Sequence, residues 1–233
     1  AFSAAEAGIE KALKSTDCGV GGVNCNVSFL ENNSSASVSD SNLIPPVPPV
    51  GTRQDPLEYP PLAKEDIAHV WLADYTSTAN PPPAAYKQNT LEVYWGNSQT
   101  DKAALELTLV YYGADPTDPV DTSAKYRSRK WYLDHTVTRS FDNKFTQVAC
   151  TGYSSGLSNY QCTYTIGGSA DPGGALPTLP SVLMLLRARL LYNTNSQPLA
   201  VRAVGTCGLD CSIPSQTRLI TSVGTSGPTQ RKV

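Results

Sequence analysis

"AFSAAEAGIEKALKS", residues 1–15, decides how the rest of the chain is read. At 3.6 residues per turn, Phe2, Ala5, Ile9, Ala12 and Leu13 are expected on one face of a helix over residues 1–16, with Ser3, Glu6, Glu10 and Lys14 on the other. The i,i+4 pair of Glu10 and Lys14 contributes roughly 0.3 kcal/mol, against about 1 kcal/mol lost to Gly8 in the helix interior. Intrinsic propensity does not account for such a helix, and one so short is marginal alone in water. The segment must pack on its own domain or be the end of something longer.

Outward from the helix, residues 17–65 are rich in Pro, Ser and Asn, which defeats both helical and strand periodicity; this stretch reads as a long connector. Asn26, Asn32 and Asn33 each head an N-x-S sequon within it. From residue 66 to 233 the reading is a β-rich head forming one domain with the helix. "IAHVWLADY", "TLEVYWG", "ALELTLVYY", "KYRSRKWYLDHTV" and "YQCTYTI" are dense in Val, Tyr, Trp, Thr and Leu, with turn residues between them. "LLRARLLYN", "PLAVRAVG", "TRLITSVG" and "TQRKV" follow as short strands, and "TNSQ" and "TSGP" between them suit hairpins. An antiparallel meander with one covered face needs a lid, and the opening helix is the element available. The expected class is α+β: an N-terminal amphipathic helix packed on an antiparallel sheet, with a long Pro/Ser-rich loop and extra strands.

The 40% hydrophobic content supports a real core, while a net charge of −2 gives no general attraction for nucleic acid or anionic membrane. Nucleic acid is therefore not an expected partner. The longest apolar run, "SVLMLL", is far short of the roughly 20 residues a membrane helix needs. Six cysteines fall into close pairs, Cys18 with Cys25, Cys150 with Cys162 and Cys207 with Cys211, and read as disulfides of an oxidising compartment. A four-cysteine zinc site from the first and third pairs is the alternative, although neither pair has the two-residue gap of a zinc knuckle.

Motifs for chemistry are sparse. "GYSSG", residues 152–156, matches G-x-S-x-G with Ser154 as nucleophile, the basis of a secreted serine hydrolase reading, but it lacks the strand before and the helix after. His135 directly follows Asp134 on an expected strand, which sends the two side chains to opposite faces; His69 lies in an apolar strand. Both histidines read as structural. Asp115, Asp118 and Asp121 in "GADPTDPVD" could offer oxygen ligands to calcium, without the glycine and terminal glutamate of an EF-hand; no other cofactor is expected. In "KYRSRKWY", alternation groups Lys125, Arg127, Arg129 and Trp131, a miniature of a nucleic-acid patch that reads first as a solvated face. Trp71, Trp95 and Trp131 are candidate stacking platforms for a carbohydrate-binding adhesin module.

"AFSAAEAGIEKAL" resembles the segment with which bacterial type IV pilin-like proteins, particularly minor pilins of the PilX-like class, leave their membrane-spanning half-helix. "IPSQTRLITSVGTSGPTQRKV", residues 213–233, is similar to their closing hairpin, and "VWLADY", "LEVYWG" and "ALELTLVYY" more loosely to their middle strands. The resemblance implies a non-enzymatic structural subunit, anchored in the inner membrane before assembly and then displayed on the cell surface in a filament. Its partners would be other pilin subunits, and the present sequence would be the part lacking the N-terminal transmembrane half-helix. The family's methylated first residue and registering glutamate have no counterpart here, so no residue inherits those roles. Phe2, Ala5, Ile9, Ala12 and Leu13 would then lie against the sheet, with Phe2 and Ala4 at the helix start facing neighbouring subunits. Pilins commonly pin a C-terminal loop with a disulfide; Cys207 and Cys211 lie near that region but enclose a much tighter loop.

Overall fold

In "SSASVS", residues 34–39, small buried side chains alternate with exposed serines, making a strand inside the stretch expected to be connector. The computed structural model describes residues 1–14, 26–29, 33–43, 56–75, 77–97, 100–114, 122–150, 159–178, 181–204 and 213–233. Its elements are α1 (Phe2–Lys14), β1 (Val27–Phe29), β2 (Ser34–Leu43), β3 (Leu57–Leu62), β4 (Ile67–Trp71), β5 (Leu91–Trp95), β6 (Ala104–Gly113) and β7 (Lys125–Asp134). They continue with α2 (Val137–Asn143), β8 (Thr146–Gln147), β9 (Cys162–Ile166), β10 (Val182–Leu191), β11 (Gln197–Ala203), β12 (Thr217–Ser226) and β13 (Thr229–Lys232). The chain is mostly strand, with an N-terminal helix packed on a sheet.

It divides into two compact units, Ala1–Ile44 with Ser215–Val233, and Pro45–Pro214, where the sequence suggested one domain. In the first unit the sheet order is β1-β2-β12-β13, antiparallel throughout. Strands β2 and β12 pair along their full length, Ser34 opposite Ser226 to Leu43 opposite Thr217, so the second unit is spliced in sequence between two neighbouring strands. β12 returns into β13 through Gly227 and Pro228, as "TSGP" predicts. Helix α1 lies on β2 and β12. Three strands thus occupy residues 17–65. β1 and β2 were illegible because, among the described side chains of β2, Ala36 and Val38 are the buried apolar ones; its place comes from pairing with β12, distant in sequence. β3, "LEYPPL", carries two prolines and sits at a sheet edge, where a missing N–H is tolerated.

The second unit is a sandwich of two sheets, β4-β10-β6-β7-β8 and β3-β11-β5-β9. β6 shows why: Leu105, Leu107, Leu109 and Tyr111 are buried, while Glu106, Thr108, Val110 and Tyr112 point the other way. Val70, Leu107, Leu109 and Leu186 of one sheet join Val93, Trp95, Leu199 and Val201 of the other in a single core. The expected meander fails at "TNSQ". β10 pairs with β4 and β6, whereas β11 pairs with β3 and β5, so this connection changes sheets. Asp101 anchors it, accepting N–H bonds from Thr194 (2.8 Å) and Asn195 (2.7 Å) and one from Gln197 Nε2 (3.0 Å). Among the described residues no helix is long and apolar enough to cross a membrane.

Candidate functional site on the N-terminal helix

Helix α1 rests on its sheet through small residues. Ala4, Ala5, Gly8 and Ala12 are its buried positions, facing Ala36 and Val38 of β2 and Ser222 and Gly224 of β12. A Cβ on Gly8 would lie 2.4 Å from Ser222 Oγ and 2.7 Å from Val38 Cγ2; one on Gly224 would lie 2.0 Å from the Ala1 carbonyl oxygen. The two glycines therefore set how closely helix and strand approach. Lys11 Nζ donates to the Asn26 carbonyl at 3.0 Å, and Lys11 and Lys14 place positive charge at the negative end of the helix dipole.

The packed face is not the expected one. Ala5 and Ala12 are buried, but Phe2 is 56% exposed, Leu13 69% exposed and Ile9 only half-buried. The sequence reading merged two stripes. Residues 4, 5, 8 and 12 make a small-residue stripe against the sheet, and residues 2, 9 and 13, spaced by seven and four, make a second stripe of large apolar side chains turned outward. Small side chains lose out to large ones in a hydrophobicity pattern, yet only they let a helix sit this low on a strand. Phe2 faces outward as expected; Ala4 does not.

The other expected site residues scatter. Trp95 and Trp131 are buried, with Trp95 Nε1 donating to the Ala103 carbonyl at 3.1 Å and Trp131 Nε1 bonded to Asp171. Only Trp71, half-buried and edge-on to Tyr75 at 4.4 Å between ring centroids, keeps exposed surface, so the three make no common platform. Arg127 donates to the Gly113 carbonyl at 3.1 Å, and Arg129 donates to those of Gly174 (3.2 Å) and Ala175 (3.1 Å) beside the Trp131 ring. Arg127 thus braces the end of β6 and Arg129 the loop after β9. Cys150 and Cys162 form a disulfide, as expected, joining β9 to the segment after β8. Cys18, Cys25, Cys207, Cys211, Ser154, Asp115, Asp118 and Asp121 lie outside the described residues.

Asp134 and His135 do not form a catalytic pair. The fully buried Asp134 accepts from Arg139 (2.6 and 2.8 Å), the Thr136 N–H (2.9 Å) and Asn143 (3.2 Å). Burial alone would raise its pKa, but Arg139 and these hydrogen bonds outweigh that and hold it below the usual carboxylate value. Burial pushes the His135 imidazole below its usual value, with nearby Lys102 adding to the effect. Its Nδ1 lies 3.9 Å from Cys162 Sγ, and His135, Cys150 and Cys162 are the one group among the described residues with metal-ligating atoms this close. With the sulfurs bonded to each other, they are not thiolate ligands.

Two polar centres escaped the sequence. Asp171, buried in a Gly-rich loop, gathers Trp131 Nε1 and the N–H groups of Gly167 (2.6 Å) and Gly173 (2.9 Å). Arg202, also buried, is paired with Glu92 (2.8 Å) on the outer face of the β11–β5 ladder. An acidic residue followed by glycines was the available signal for the first, but its Trp131 partner comes from β7 and cannot be seen locally. No family model, no curated protein and no solved structure matches the chain.

Proposed function

We propose that this chain is the soluble part of a type IV pilin-like structural subunit, of the PilX-like minor pilin class, acting by filament assembly rather than catalysis. The observation that carries the reading is the two-sided helix. Its small residues are used up against the subunit's own sheet, while Phe2 and Leu13 stand exposed and Ile9 half-buried on an apolar stripe of the opposite face. Leaving such side chains in water forgoes about 1.5–3 kcal/mol for each one that could be fully buried. A stripe of this kind at the start of the chain suits lateral packing between copies, with the β-rich parts on the outside of a cell-surface pilus. The unit spliced between β2 and β12 is then a displayed module, suited to adhesion.

The reading requires about 20 predominantly apolar residues encoded directly before Ala1, preceded by a short basic leader ending in a small residue. Sequencing the gene upstream tests this. A hydrophilic domain, a start codon or a conventional signal peptidase site at that place rules the pilin reading out.

A further inference from the structure

The outward face of the β4-β10-β6-β7 sheet holds a groove of about 310 Å³, at the lower end of the ~300–1,000 Å³ range of small-molecule sites. Ile67, Glu106, Thr108, Lys130, Arg187 and Arg189 line it. Register brings them together. His69, Arg187, Thr108 and Lys130 form one row across four strands, and Ile67, Arg189 and Glu106 the next. Arg189 is paired with Glu106 Oε2, while Lys130 Nζ stands 3.8 Å from Glu106 Oε1, outside hydrogen-bonding distance. Arg187 is exposed, and it makes no hydrogen bond or ion pair among the described residues.

Three cations thus face one carboxylate, on a protein of net charge −2. The excess calls for an anion, with Arg187 free to grip it in a forked geometry. Glu106 narrows the choice. A phosphate or sulfate brings only acceptors and would be repelled by a carboxylate, whereas Glu106 Oε1 still has acceptor capacity and wants a donor. The ligand must therefore present both an anionic group and hydroxyl groups. Ile67 supplies an apolar wall, and Trp71 lies four residues along β4 on the same face, half-buried and in a T-shaped contact with Tyr75.

We propose that this groove binds an acidic sugar unit of a surface polysaccharide, a uronic acid, with its carboxylate on Arg187 and its hydroxyls on Glu106 and Thr108. The site lies wholly within Pro45–Pro214 and stands or falls independently of how the chain assembles.

Calorimetric titration of the full chain with polygalacturonate at physiological salt tests it, with neutral dextran and oligothymidylate as comparison polymers. Saturable binding to polygalacturonate, competition by free galacturonate and no response to dextran are expected. Arg187→Gln should weaken binding about tenfold or more through the lost charge-assisted bonds, with an unchanged melting temperature because Arg187 is exposed and has no hydrogen-bond or ion-pair partner among the described residues. Glu106→Gln separates recognition from plain charge attraction: sugar binding through the carboxylate predicts weaker affinity, general attraction of polyanions predicts tighter. Absence of saturable binding, equal binding of oligothymidylate, indifference to Arg187→Gln or a gain from Glu106→Gln each overturns the proposal.

Discussion

Nε1 of Trp131 lies 2.9 and 3.0 Å from the two carboxylate oxygens of Asp171, joining the centre of β7 to the loop after β9. The same carboxylate accepts N–H bonds from Gly167 and Gly173. Removing it strands these three donors and the Tyr164 hydroxyl at 3.5 Å, with the Trp131 and Gly167 N–H groups buried away from water. Asp171→Ala is expected to cost about 2–3 kcal/mol in urea unfolding, and Asp171→Asn less, because the amide oxygen retains some of the acceptors. An unchanged midpoint for Asp171→Ala would mean that the loop finds other partners.

Seating of the helix makes a sharper prediction. With 2.4 Å between a Cβ at position 8 and Ser222 Oγ, Gly8→Val must lift α1 from the sheet and is expected to cost about 1–3 kcal/mol. Helix propensity alone predicts the opposite sign, since Gly is among the poorest helix formers. Thermal unfolding of the variant decides between the two.

Reducing the Cys150–Cys162 bridge, or replacing both residues with serine, should lower stability by about 3 kcal/mol, the loop-closure entropy expected for a short loop; the separation is 12 residues. Denaturant midpoints with and without a dithiol reductant measure it. Both forms should keep the native β circular-dichroism signal, because the bridge adds only Cys162 and the flanking Cys150 to a core otherwise built from aliphatic and aromatic side chains of both sheets.

Stability should fall on acidification in two steps. The folded-state pKa of His135 lies below 6.5, so the unfolded chain takes up its proton first, and stability declines as pH drops below about 6.5. Asp134 and Asp101 act lower down. Both carboxyls are held below the usual aspartate value of 3.8: desolvation opposes this, but the bonds from Thr194, Asn195 and Gln197 outweigh it and bring Asp101 to about 2, so their contribution is present above about pH 4 and lost as pH falls further. Unfolding free energy measured from pH 8 to pH 3 should show both steps, and His135→Gln should remove the upper one alone.

What the sequence made legible follows from where the information lies. β4 to β7 and β9 to β13 were readable because strand-forming residues between turn signals, and in β6 the alternation of Leu105, Leu107 and Leu109, are written within each segment. β2 was not, since a serine-rich strand gains its place from the register of Ala36 against Gly224 and Val38 against Ser222. On the helix, Ala5 and Ala12 lie on the sheet side as read, whereas Phe2 and Leu13 are exposed and Ile9 is half-buried. Ala4 and Gly8 contact the sheet because they are small, and that reason appears only once Gly224 is seen beneath the first turn. The groove around Arg187 was equally hidden, for its residues come from four strands.

Leu13 and Phe2 offer the most direct test of the central claim, that the outward stripe of α1 is a surface between copies. In the full-length protein, Phe2→Glu with Leu13→Glu should leave folding within about 0.5 kcal/mol, because both side chains already stand in solvent. Recovery of the protein in sheared surface filaments should fall at least tenfold, about the 1.4 kcal/mol that a lost apolar contact easily exceeds. A photoreactive phenylalanine analogue at position 13 should cross-link neighbouring subunits in the wild-type filament. Normal incorporation of the double glutamate variant, together with no cross-link between copies, would contradict the account.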